Sequence, residues 1–194
     1  HIYSVTSTLA GFSSSFFTVV HVRKTPDAPT AWSNSPVCTG DTLQLYSSSD
    51  PGSLYSWNGP NSFAPAVQNR FITPAAILHT GVYSVSATLS YVGIIGGCVS
   101  DTSIVRVVVD SAVTSGFTYD IIWGCKADTV MFGNTSGVAT DFVWQFGDGF
   151  SSIEVNPKHI YITQDSFLVK LTSRAGGCID SSKQMIYLLH PLNA

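Results

Sequence analysis

The sequence contains the same cysteine and tryptophan arrangement twice. Trp57 follows Cys38 by 19 residues, and Trp144 follows Cys125 by the same 19. Each half then has a second cysteine in one local phrase, Gly96-Gly97-Cys98-Val99-Ser100-Asp101 and Gly176-Gly177-Cys178-Ile179-Asp180-Ser181. Alternating apolar stretches flank both phrases: Val82–Val85 and Phe167–Val169 before them, Ile104–Val108 and Met185–Leu188 after. A recurrence of ~80 residues is too long for a solenoid and suits a string of separate domains. Four cysteines allow three pairings, and the repeat selects Cys38–Cys98 and Cys125–Cys178, one disulfide inside each unit.

A third, partial copy opens the chain. Tyr3-Ser4-Val5-Thr6-Ser7-Thr8-Leu9 matches Tyr83-Ser84-Val85-Ser86-Ala87-Thr88-Leu89 at five of seven positions, and Phe16–Val22 reads as the strand that closes each later copy. Residues 1–25 are therefore expected to be the C-terminal hairpin of a truncated preceding unit. Pro26-Asp27-Ala28-Pro29 is a linker by composition. The two complete units are expected at 26–110 and 111–194, with His190-Pro191-Leu192-Asn193-Ala194 resembling the start of another linker. A lone hairpin is marginal in water, so Phe12, Phe16, Phe17 and Val19 need cover, from a neighbouring molecule or from the middle unit.

Period-2 alternation broken by turn residues predicts the strands. In the middle unit they fall at 41–46, 54–57, 69–73, 81–90 and 101–110. In the last they fall at 128–132, 141–146, 167–172 and 182–188. Ala75–Leu78 is at most a helical turn. Short strands with turns between them, over 194 residues, predict an all-β chain of tandem antiparallel β-sandwiches, each of ~100 residues or fewer.

Composition narrows the function. Charged residues make up 11% and the net charge is −3, so there is no basic stripe for nucleic acid or an anionic membrane surface. No apolar run approaches the ~20 residues of a spanning helix, so no membrane insertion is expected. The start of the chain lacks a basic segment followed by an apolar one, the pattern of a secretory signal. Paired cysteines imply an oxidising, extracellular compartment, secreted or at the cell surface.

The last unit resembles a PKD domain. Phe142-Val143-Trp144-Gln145-Phe146-Gly147-Asp148-Gly149 matches the W-x-F-G-D-G signature of that family. Asn156-Pro157-Lys158-His159-Ile160-Tyr161 matches its P-x-H-x-Y segment, and Val130–Ser136 its F-x-N-x-S strand. Asp165-Ser166-Phe167 departs from the usual Gly-x-Tyr. The middle unit is similar to an immunoglobulin-like module of bacterial adhesion and gliding-motility surface proteins, through Tyr55–Asn61 and Gly81–Val85 ahead of Gly97-Cys98. The resemblances imply immunoglobulin-like sandwiches serving as spacer or interaction modules beside similar domains of one parent chain.

No catalytic constellation stands out. His159 has no nucleophile motif to serve, and His1, His21, His79 and His190 are scattered. Asp141, Asp148 and Glu154 would need a cleft to act as a glycosidase pair. Asp148 alone does not make a calcium site, which takes ~6–8 oxygens; in Gly147-Asp148-Gly149 it reads as a turn residue bonding nearby amides. Asn134-Thr135-Ser136 is a glycosylation sequon that the F-x-N-x-S strand already accounts for. No enzyme activity, cofactor or metal is expected. Trp57 and Trp144 are expected to fill the sandwich cores, burying ~150–250 Å² each. Trp32, Trp123, Phe63 and Phe150 have no duty in the repeat. Packing at domain junctions is the expectation for Trp32 and Trp123, and a ligand platform the alternative. The sequence thus points to a structural or adhesive spacer, or else to a carbohydrate- or protein-binding accessory module of a secreted hydrolase.

Overall fold

The computed structural model describes residues 1–91 and 96–189; the linker expected at 190–194 lies outside them. It begins with a hairpin of β1 (Ile2–Leu9) and β2 (Phe12–Val19), paired from Ile2↔Val19 to Leu9↔Phe12. Every residue of both strands is exposed. The middle unit does not cover this hairpin, contrary to one of the two expectations for it. The two are linked through the connecting segment, where the Tyr91 hydroxyl donates to the Lys24 carbonyl (3.0 Å) and the Arg23 guanidinium lies over the Tyr91 ring (5.1 Å).

The middle sandwich contains β3 (Ala31–Ser33), β4 (Val37–Cys38), β5 (Leu43–Ser47), β6 (Ser53–Asn58), β7 (Arg70–Ile72), β8 (Gly81–Leu89), β9 (Cys98–Val99), β10 (Ser103–Val107) and β11 (Val109–Asp110). One sheet has the order β3-β5-β7; the other has β10-β8-β6, with β9 also on β8. Alternation along β5 sends Leu43 and Leu45 inward, and Trp57, Tyr83, Val85 and Ala87 meet them from the second sheet. The expected helical turn is a 3₁₀ turn, Ile77–His79.

The strand expected over 101–110 is two strands. They part at Val108, whose N–H donates to Ser35 Oγ (2.7 Å) while that hydroxyl donates back to its carbonyl (3.2 Å). The last residues thereby leave their sheet and pair in parallel with β4, Val109 beside Val37 and Asp110 beside Cys38.

The second sandwich contains β12 (Phe117–Ile122), β13 (Asp128–Asn134), β14 (Asp141–Gln145), β15 (Ser151–Ser152), β16 (Lys158–Tyr161), β17 (Ser166–Ala175) and β18 (Cys178–Tyr187). Its sheets run β12-β13-β16 and β15-β14-β17-β18. Phe117, Val130, Phe132 and Tyr161 from the first sheet enclose a core with Trp144, Val169, Leu171 and Ile186 from the second. Two sandwiches, each with its own apolar core, make the chain all-β as expected. No helix among the described residues is long and apolar enough to cross a membrane.

Candidate functional site: a locked junction and an aromatic face

The disulfide joins the two sandwiches. Cys38 is bonded to Cys178, with Cα atoms 5.7 Å apart, while Cys98 is partly exposed and Cys125 exposed, both as free thiols. The pairings selected by the repeat, Cys38–Cys98 and Cys125–Cys178, are therefore replaced, and the reason is geometric. A disulfide requires Cα atoms within ~4.4–6.8 Å. Cys38 lies beside Asp110 at the end where the chain leaves the middle unit. That end is also where β8 begins, since Thr80 Oγ1 accepts from Val109 N–H at 2.9 Å. Cys98 pairs with Leu89, at the far end of β8, a distance of roughly 25 Å at strand rise. Cys178 likewise pairs with Ala175 at one end of β17. Cys125 lies by Asp128, which pairs with Tyr161 near the other end.

Backbone and side-chain bonds complete this junction. Thr39 N–H donates to the Asp110 carbonyl and Ala112 N–H to Thr39 Oγ1, both at 2.8 Å. Across the gap, Gly177 N–H donates to Asp110 Oδ2 (2.8 Å). On the far side, Ser115 N–H donates to Asp180 Oδ2 (2.8 Å). The amides of Ser115 and Ser181 hold the Asp180 carboxyl below its usual range. Gly176 stands at φ +56°, and a Cβ there would lie 2.6 Å from Asp110 Oδ2; only glycine lets the hairpin come this close.

The F-G-D-G segment forms a turn. Asp148 Oδ1 accepts from Phe150 N–H (3.2 Å), and its Oδ2 lies 2.6 Å from His159 Nε2. The His159 ring stacks on Phe146, 4.1 Å between centroids and 6° from parallel. The Tyr161 hydroxyl donates to the Phe146 carbonyl (2.8 Å), and burial, with the nearby Asp148 charge, pushes its pKa well up. His159 and Asp148 thus brace one another around a turn. Asp141 accepts instead from Thr140, and Glu154 contributes its carbonyl to Trp144 Nε1 (2.9 Å). Among the described residues no group of three or more His, Cys, Asp or Glu is placed to hold a metal. Trp57 and Trp144 are core residues, 1% and 0% exposed, and each donates its indole N–H to a carbonyl, of Gln68 and Glu154.

Trp32 packs on a ring of its own unit. It lies on β3, 47% exposed, stacked on Tyr46 with centroids 5.6 Å apart and planes 17° apart. Tyr46 in turn meets the exposed Phe71 edge-on at 6.0 Å. The register Trp32↔Tyr46 and Gln44↔Phe71 puts these rings on the outer face of one sheet. Phe71 continues into a groove of about 280 Å³ with Phe63, Asn61, Arg70 and His79 on its walls. The sequence singled out Trp32 but missed Tyr46 and Phe71, although both occupy the outward phase of strands whose inward phase was evident. Phe63 packs edge-on against the buried Tyr83. Trp123 is half-exposed between β12 and β13, and Phe150 lies near His159.

No family model matches the chain, and no curated protein matches it. Among solved structures it is similar to the PKD1 domain of the Vibrio cholerae metalloprotease PrtV, at 30% identity and a TM-score of 0.36 over 41% of this chain and 99% of that one. The PKD1 domain of Vibrio anguillarum Epp is similar at 21% identity and a TM-score of 0.35, over 41% and 96%. An amphioxus IgVJ-C2 molecule is similar at 14% identity and a TM-score of 0.36, over 78% and 98%.

Proposed function

We propose that the chain is a non-catalytic spacer segment of a larger extracellular protein, made of sandwiches held end to end. The observation that carries this reading is the Cys38–Cys178 bond, which ties two separately cored units together instead of stapling either one. Flexibly linked domains move relative to one another by default; a covalent bond and the Asp110–Gly177 contact at one joint oppose that. A disulfide also suits an oxidising compartment. The units are 26–110 and 111–194, the latter a PKD domain by its W-x-F-G-D-G turn. Residues 1–25 are the closing hairpin of a preceding sandwich. Tyr3 and Val5, 54% and 69% exposed, correspond to Tyr83 and Val85, which are fully buried. Small-angle scattering tests the spacer. The oxidised protein is expected to keep one elongated shape, and Cys178→Ser to broaden the distance distribution; indistinguishable curves would defeat the reading.

The aromatic face favours a second activity on the same scaffold, binding of polysaccharide. The exposed Trp32 and Phe71, bridged by Tyr46, offer apolar ring area, and the adjoining groove adds Arg70 and Asn61 as hydrogen-bond donors. Affinity gels loaded with soluble polysaccharides test it. Retardation lost in Trp32→Ala and Phe71→Ala but kept in Trp123→Ala supports it; no retardation on any polymer leaves the spacer alone.

A further inference from the structure

The two free thiols occupy the same places in their units as the two bonded ones. Cys38 and Cys125 each open a Cys-x-x-Asp turn, Cys38-Thr39-Gly40-Asp41 and Cys125-Lys126-Ala127-Asp128. In both, the aspartate accepts from a main-chain N–H at the turn, that of Cys38 (3.4 Å) and that of Gly124 (3.0 Å). Cys98 and Cys178 each follow a Gly-Gly pair and face the strand before it, at Leu89 and Ala175. The bond that is formed therefore joins the turn cysteine of one unit to the hairpin cysteine of the next.

The free thiols also lie at the matching ends. Cys125 lines a cavity of about 140 Å³ with Thr163 and Gln164, in the loop whose Asp165 carbonyl accepts from Leu188 N–H as the last strand leaves the unit. Cys98 pairs with Leu89 at the end of β8, beyond which Tyr91 bonds the incoming segment at Lys24. One unpaired turn cysteine stands at the exit and one unpaired hairpin cysteine at the entrance.

We propose that Cys125 and Cys98 are the open halves of further inter-unit disulfides. Cys125 takes the Gly-Gly-Cys hairpin of a following like unit, seated in the cavity beside it, and Cys98 takes the turn cysteine of a preceding one. The array is then bonded at every joint. This rests on the reading of the chain as a run of like units. Each bond forms when two thiols lose two protons and two electrons to a disulfide oxidant, which leaves as two thiols.

A second copy of the chain supplies both complements. The test mixes Cys98→Ser, which keeps only the Cys125 thiol, with Cys125→Ser, which keeps only the Cys98 thiol, under oxidised glutathione. Non-reducing gels and peptide mapping follow. The expected result is a Cys125–Cys98 heterodimer in excess over both homodimers, and a reductant-sensitive ladder from the unmutated chain. The proposal is overturned if Cys38–Cys178 is intact but the variants stay monomeric, or if homodimers form as readily. Recovery of Cys38–Cys98 and Cys125–Cys178 peptides would instead remove the junction on which the spacer reading stands.

Discussion

Cys38 and Cys178 are bonded across 140 residues of sequence, at the joint between two sandwiches that share no core residue among the described ones. In the chain-entropy model, closing a loop of that length is worth about 5 kcal/mol as an upper-end value. Since each core is complete without the bond, its loss is expected to uncouple the units rather than unfold them. Calorimetry should show one transition for the oxidised protein and two for Cys38→Ser. Superimposable melts with and without reductant would contradict this.

Gly176 is the tightest point of the joint. Alanine there meets both an unfavourable backbone region and Asp110, and a loss of about 1–3 kcal/mol is expected. If strain against Asp110 is the cause, Asp110→Ala in the same chain recovers part of the loss in chemical denaturation. Equal destabilisation by the single and double variants would locate the cost in the backbone alone.

Alkaline pH should act through the buried tyrosines. The Tyr161 and Tyr83 hydroxyls have pKa values raised chiefly by burial, with Asp148 adding to the first. A raised folded-state pKa gives stability that is full below the unfolded value of about 10 and is lost as pH rises through the folded value. Phenolate absorbance is expected to show a late fraction of the eight tyrosines, ionising together with loss of near-ultraviolet dichroism. Tyr161→Phe should remove part of that fraction.

Trp144 and Trp32 separate scaffold from surface. Trp144→Ala opens a fully buried site and is expected to cost about 3–5 kcal/mol. Trp32→Ala, on the open face, is expected to leave the melting temperature within a few degrees. A comparable loss from both in urea titrations would mean that the Trp32–Tyr46 stack supports the fold.

Much of the architecture was legible in the residues. Alternation located β5, β6, β8, β13, β14 and β17 to within a few residues, because one face of each strand is buried and its period is two. The Trp spacing marked the cores, since Trp57 and Trp144, alike in distance from a cysteine, both fill the space between the sheets. The edge strands β3, β4, β12 and β16 were not predicted, although the short β7, bounded by Pro74, was. Tyr46 and Phe71 were passed over because outward positions bear no periodic constraint.

What the sequence by itself determined was the strand content of two cored sandwiches and a hairpin, with the cysteines in two Cys-x-x-Asp and two Gly-Gly-Cys phrases. Which cysteines meet was decided only by the tertiary structure. Local phrase and spacing say nothing of which end of a sandwich a thiol occupies. Strand length holds Cys38 and Cys98 roughly 25 Å apart, while the parallel pairing of Asp110 with Cys38 carries the next unit's hairpin to within bonding distance.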